Sequence, residues 1–314
     1  MKKLRFDSLL HLLTTMLLFA CLLAAAGCSD SEESVVVDLS RREPLVAPRQ
    51  VDAITYAYLP QYSHTTSFQR HRKMLEYLRK ETGLRLRQIF PDTFDEHVKM
   101  VARGEIDISY SNPLIYLRLA DAGASAFARI VEPNGEPNFR GQIIVRQDNP
   151  AIKSIDDCRG KRWIAVDPGS AGGYLFALGF FHDHGIMAED FETIDFAPGP
   201  GGKQEKVALA VYAGAYDVGS IRKGTLAVVS GKIDVDDIRV LAETRPYPGW
   251  VYASRKGLDP AVVKAISAAM FKLDHKQPDD AVVLDAAGMQ AILPAEDSDY
   301  DPVRELTRTL GLRK

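Results

Sequence analysis

The apolar positions of this chain fall in short blocks that switch between two periods. Residues 53–59 are almost continuously apolar and stop at Pro60, the pattern of a buried strand. Residues 67–82 put Met74, Leu75 and Leu78 on one helical face and end at Gly83, a helix with its stop. Residues 84–90 alternate as a strand, 92–103 form a helix closed by Gly104, and 106–110 form a third strand. Asn112-Pro113 follows at once, with a helix from Leu114. Further along, 142–146 and 161–166 read as strands, the second running into a glycine-rich turn and a helix over 173–184. Residues 207–212 are helical and 216–220 form a short strand. This alternation predicts an α/β fold with mostly parallel sheets and helices on both faces.

Two extended stretches, 140–148 and the proline-rich 243–252, divide the pattern. Taken as crossovers, they set an inserted lobe 2, residues 144–246, into a lobe 1 made of 50–143 and 247–314. Two lobes joined by two segments make a hinge with a cleft. Small ligands favour such interfaces and the carboxyl ends of parallel strands.

Ahead of residue 50 the pattern changes. Lys2, Lys3 and Arg5 precede a mostly apolar stretch, 9–26, which ends in Ala25-Ala26-Gly27-Cys28. This is the layout of a secretory signal peptide over 1–27. Its ending resembles the bacterial lipobox, which implies that Cys28 becomes a lipidated mature N-terminus. An uncleaved anchor helix or plain signal-peptidase cleavage fits the same residues. The polar run from Ser29 to Ser34 opens a tether over 28–49. Loss of 1–27 removes Lys2, Lys3, Arg5 and Asp7, and so moves the formal net charge from −3 to −5. Of the three cysteines, Cys28 and Cys158 then remain, and a lipidated Cys28 leaves no internal disulfide. No second apolar stretch reaches the roughly 18 residues of a membrane span. The body is expected outside the cytoplasm. The near-neutral balance of the chain argues against nonspecific nucleic-acid binding, which needs an excess of Lys and Arg.

Five segments, in order, carry a family likeness. They are Gly104 to Tyr110 (GEIDISY), Ile143 to Asp148 (IIVRQD), Ile155 to Trp163 (IDDCRGKRW), Val166 to Tyr174 (VDPGSAGGY) and Ala208 to Asp217 (ALAVYAGAYD). Together they resemble the phosphate/phosphite/phosphonate-type substrate-binding proteins of ABC transporters, which have the two-lobed type II periplasmic-binding fold. The resemblance runs from about Ile54 to Lys256. It implies a small anionic or zwitterionic ligand closed between the lobes, an ABC permease as partner, and no cofactor or metal.

The turn after the 161–166 strand has chemistry of its own. Pro168 and Gly169 turn the chain, and a helix starts at Ser170, Ala171, Gly172 and Gly173. A helix start has unpaired N–H groups and the positive end of the macrodipole, which suits an oxyanion. The alternative is a turn with Ser170 as an ordinary N-cap. The resemblance favours ligand contact, although the family carries more hydroxyls here and a His where this chain has Gln204. The neighbouring Lys203 is a candidate replacement charge; otherwise it is a solvated loop residue. The facing lobe offers Tyr62 after the first strand, Thr93 at a helix start, and Tyr110, Ser111 and Asn112 at the third strand's end. Each serves equally as a cap or core group.

Cys158 reads as a small buried residue behind a capping box that starts at Ser154. His182 and His184 do not share a helix face and make a poor metal pair. The basic run from Arg70 to Arg87, interleaved with Glu76 and Glu81, reads as a solvated face. No nucleophile stands with its base. The expected protein is therefore a monomeric, lipid-anchored solute-binding protein on the periplasmic side of the envelope. One rival reports ligand to a membrane sensor kinase instead of a permease; another is an enzyme on the same fold.

Overall fold

A computed structural model describes residues 53–312 of the chain. The signal segment, Cys28 and the tether lie outside the described residues. Helix starts and stops are set by single side chains. Ser63 caps α1 (His64–Thr82) by accepting from the Thr66 amide at 3.2 Å, and Gly83, at φ 69°, ends it. Thr93 caps α2 (Phe94–Ala102) through the Glu96 amide at 3.0 Å. Asn112 caps α3 (Pro113–Asp121), with proline in the first turn. The buried stripe of α1 is Ser67, His71, Met74, Leu75 and Leu78, the spacing of one helical face.

Two sheets carry the fold. The first has the order β13-β4-β12-β3-β1-β2. Its strands are β1 (Ile54–Tyr58), β2 (Leu86–Ile89), β3 (Ile108–Ser111), β4 (Ser125–Val131), β12 (Val251–Ser254) and β13 (Ala291–Pro294). The second has the order β10-β6-β9-β7-β8. Its strands are β6 (Gly141–Arg146), β7 (Arg162–Ala165), β8 (Thr193–Phe196), β9 (Val218–Arg222) and β10 (Ile238–Glu243). A two-stranded ribbon of β5 (Asn138–Phe139) and β11 (Tyr247–Pro248) lies where the chain passes between the sheets. The helices after α3 are α4 (Phe176–Asp183), α5 (Lys203–Tyr212), α6 (Thr225–Val229), α7 (Pro260–Met270), α8 (Pro278–Ala287) and α9 (Asp301–Thr309).

The α/β class holds, but the sheets are mixed and not mostly parallel. Parallel pairing is confined to β1 with β2 and β3, and to β7 with β8 and β9. Those are the regions where strands and helices alternate, and a parallel pair needs such a crossover. β4 leaves the first sheet and β12 returns to it, so the two run antiparallel. β6 enters the second sheet and β10 leaves it, and these two also run antiparallel. Residues 141–143, assigned to lobe 1 by the sequence reading, pair within the second sheet, with Ile143 opposite Ser220. The passage into that sheet therefore lies between β4 and β6, before residue 141.

The first sheet has one core, which includes Tyr56, Leu75, Tyr116 and Trp250; the second has a cluster on each face, around Trp163 and around Val207. Helix α9 ties the two halves. Val303 and Leu306 belong to the first core, while Leu306 lies so close to Gly179 of α4 that a Cβ there would meet it at 2.7 Å. No described helix is long and apolar enough to cross a membrane.

Candidate functional site

The segments that follow β3 and β7, and those that follow β1 and β8, meet between the two sheets. Asn112 spans the cleft there: its Oδ1 accepts from the Ile115 amide at 3.0 Å, and its Nδ2 donates to the Gly169 carbonyl at 3.1 Å. The side chain is at once cap and lobe-to-lobe contact. Gly201, in the turn before α5, approaches the Tyr62 carbonyl closely enough to leave 3.2 Å for an added Cβ.

The turn after β7 is more crowded than its glycines suggest. Ser170 Oγ accepts from the Gly173 amide at 3.1 Å, so this residue is an N-cap. Ala171, Gly172 and Gly173 are buried, and Ala171–Leu175 winds as a wide π-type turn. A Cβ on Gly172 would stand 2.8 Å from the Phe139 ring; one on Gly173 would stand 2.3 Å from Val166. What the glycines admit is protein: the Phe139 ring and the Arg222 backbone. The amides of Ala171 and Gly172 still precede the first closed turn, where helix donors are unpaired.

One flank of the cleft holds Thr93, Phe94, Asp167 and Lys203, which line a common crevice with Gly169. Thr93 is engaged as a cap. Lys203 Nζ donates to Asp167 Oδ2 with both side chains largely buried, and Asp167 Oδ1 accepts from the Gly169 amide at 2.8 Å. Lys203 is thus neither solvated nor unpaired. It neutralises the carboxylate that shapes the turn. Gln204 Oε1 accepts from the Arg222 amide at 2.9 Å and from the Thr225 hydroxyl at 3.3 Å, so its oxygen braces β9 against α5.

The other flank is different. Tyr62, Arg70, Glu132, Phe139 and Arg222 line a cavity of about 720 Å³. Arg222 ends β9, is 8% exposed, and grips both Glu132 oxygens through Nη2, at 2.6 and 2.7 Å. Burial opposes its charge, and Glu132 with the nearby phenols more than restores it, so its pKa is raised. Its guanidinium carbon stands 5.3 Å from the Phe139 ring centre and 5.7 Å from that of Trp250. Trp250 packs on Tyr58 and Tyr110, at 5.5 and 5.1 Å between ring centres. Burial pushes the Tyr110 phenol well above its usual range. Two buried donors in this group, Arg222 Nε and Trp250 Nε1, have no hydrogen-bond partner, nor does the Ser111 hydroxyl on the opposite face of β3. Unpaired buried donors cost stability, so native folds rarely keep them without a use.

The structure thus gathers Tyr62, Tyr110, Ser111, Asn112, Gln204 and the Ser170–Gly173 turn around one cleft, with Thr93 and Lys203 on its far flank. Sequence reasoning missed Arg70, Arg222, Trp250 and Glu132. The charge pattern puts Arg70 on a solvated face, yet it is half-buried on the cavity wall. It stands four residues before Met74 and eight before Leu78, so the buried stripe of α1 passes through it. Arg222 fell just past the strand end drawn at Ser220. Among the described residues no group of His, Cys, Asp and Glu is arranged to hold a metal. Charge and directed donors of this kind suit an oxyanion.

Comparison with known proteins addresses the family and the fold. The family model described as the periplasmic substrate-binding protein of phosphonate ABC transporters matches residues 56–300. The phosphate-import protein PhnD of Mycolicibacterium smegmatis is 23% identical over 314 aligned positions, 94% of this chain and 95% of the relative. The phosphonates-binding periplasmic protein of Escherichia coli is 24% identical, over 84% of this chain and 78% of its own. In fold, the chain resembles PhnD1 of Prochlorococcus marinus, solved in complex with methylphosphonate. The TM-score is 0.74 at 16% identity, covering 83% of this chain and 98% of the other. A match over most of the chain decides the matter: this protein belongs to the phosphonate-type periplasmic substrate-binding family of ABC transporters.

Proposed function

We propose that this protein is a lipid-anchored binding protein that delivers a phosphonate- or phosphate-like oxyanion to an ABC permease. The observation that carries the reading is the pair of unpartnered buried donors, Arg222 Nε and Trp250 Nε1, where β9 meets the first sheet. An oxyanion satisfies both at once, and charge-assisted bonds are shorter and stronger than neutral ones. The Ser111 hydroxyl and the amides at Ala171 and Gly172 complete its shell from the opposite side. Tyr62 walls the pocket and Tyr110 backs Trp250, while Asn112 and Gln204 hold the lobes and β9 in register. Cys28 carries the lipid, which holds the body at the periplasmic face of a membrane as a monomer. Binding closes the lobes, and the permease reads the closed form; turnover of the ligand is not part of the cycle.

Tryptophan fluorescence tests the site. The chain has two tryptophans. Trp163 is committed to Ser220 through its Nε1, at 3.0 Å, inside the second sheet's core. Methylphosphonate should therefore change emission through Trp250. In Trp250→Phe a smaller aromatic ring replaces the indole and the N–H donor is lost. Affinity by calorimetry should fall about tenfold, the weight of one hydrogen bond to a charged acceptor, and the emission change should vanish. Full affinity in that variant would remove Trp250 from the site.

A further inference from the structure

The wall of the cavity sets four cations against three carboxylates, so the pairing of each cation decides which is left for a ligand. Of the cations on its wall, Arg222 is matched by Glu132 and Lys223 by Glu243. Arg140 donates to the Thr244 carbonyl. Arg70 is different. Its guanidinium carbon lies 4.8 Å from the Tyr62 ring centre; burial and Arg222 oppose its charge, while Tyr58, which also hydrogen-bonds it, and Tyr62 favour it. None of these is a carboxylate. Glu136, the remaining acid on the wall, sits on an exposed turn.

Arg70 is also held in place. Gly288, at the end of α8, lies so close that a Cβ there would stand 2.9 Å from Arg70 Nη2. The helix end backs the guanidinium, and its other side faces the cavity. An arginine fixed in this way presents a planar fork suited to a carboxylate or a second phosphoryl oxygen pair. The volume supports the same conclusion: about 720 Å³ is many times what a methylphosphonate fills.

We infer that the ligand carries a second negative charge on a short arm, and that Arg70 receives it. The substrate class is then an oxyanion with an anionic substituent, such as a carboxyalkyl phosphonate. This inference rests on the headgroup site proposed above. It assigns Arg70 the role of selecting the substituent, not of holding the headgroup.

The test compares 3-phosphonopropionate with propylphosphonate, a probe of similar length without the carboxylate, by calorimetry. The wild-type protein should bind the carboxylate probe at least tenfold more tightly. Arg70→Gln should bring the ratio to about one and leave propylphosphonate within twofold of wild type. Arg70→Lys should keep part of the preference. Equal binding of the two probes by wild type would overturn the inference, as would an Arg70→Gln variant that weakens both alike, since Arg70 would then be a headgroup ligand. If the wild type binds neither probe, the headgroup site itself is wrong and the inference falls with it.

Discussion

The two flanks of the cleft contain the same ingredients arranged to opposite ends. On the Thr93 flank a lysine meets an aspartate, the aspartate holds the Gly169 amide, and the threonine caps its helix. The side chains of Thr93, Asp167 and Lys203 are all answered by protein. On the Trp250 flank a similarly buried pair, Arg222 and Glu132, leaves an arginine nitrogen and an indole N–H unpaired, with Arg70 as an unmatched cation beside them. An ion pair near a cleft is thus no sign of a binding site by itself. The Lys203–Asp167 pair builds the turn, whereas the Arg222–Glu132 pair is incomplete and so leaves something to bind.

The strongest way to break this contrast is to remove Arg222. Arg222→Met strands the Glu132 carboxylate at a site where its side chain is 12% exposed. Loss of one partner of a buried pair costs about 3–5 kcal/mol, and the low end applies here because Glu132 borders the cavity. Urea unfolding should show that loss. Methylphosphonate affinity should fall by about 100-fold, the upper range for a hydrogen bond to a charged group. Glu132→Gln sharpens the result: stability should fall while affinity holds or rises, because the guanidinium is then free for the ligand. Wild-type affinity in Arg222→Met would end the assignment of this flank.

A buried histidine lies under each flank, and both are held neutral. His71 Nδ1 pairs with the Tyr56 hydroxyl at 2.6 Å, and His97 Nε2 with the Ser109 hydroxyl at 2.7 Å. Burial lowers each pKa to about 3, helped in His71 by the charge of Arg70. In the unfolded chain both titrate near 6.5. The unfolded state therefore binds more protons between about pH 6.5 and 3, and stability falls as pH drops through that window. From pH 7 to pH 5 each histidine should cost about 2 kcal/mol. His97→Gln, which cannot take up the proton, should lose about 2 kcal/mol less than wild type over the same interval in urea titrations. A variant whose stability falls as steeply with acid as the wild type would show that His97 is not a source of this slope.

The legible and illegible parts of the molecule follow from the range of the physics. Alternating periods placed β1, α1, β2, α2 and β3 to within a few residues, because burial of one face is a local pattern. Capping by Thr93, Asn112 and Ser170 was legible as the alternative to ligand contact, because a cap bonds within its own first turn. Strand direction was not, because β12 runs antiparallel to β3 only through a passage to the other sheet and back. The cationic flank was illegible for a similar reason. Arg70, Glu132, Arg222 and Trp250 come from a helix, a strand exit, a strand end and a proline-rich return, and no local pattern brings them together. Arg70 was the exception, since the stripe of α1 runs through it. Its charge argued for solvent, and the cavity supplied another place for it.

The smallest effect is expected from Lys203. If the Thr93 flank is structural, Lys203→Met removes a charge from the cleft without removing a ligand contact. Asp167 would keep the Gly169 amide at 2.8 Å and would border an open crevice. The cost should then fall between that of an exposed pair and that of a sealed one, about 1–2 kcal/mol. Methylphosphonate affinity should stay within threefold of wild type, with its salt dependence unchanged. Asp167→Asn should behave the same way, which separates a structural pair from a lysine whose charge reaches the ligand. A lysine that reaches the ligand would instead weaken binding when removed and strengthen it when its carboxylate partner is neutralised. That opposite response of the two variants would move the anion site across the cleft and undo the distinction between its flanks.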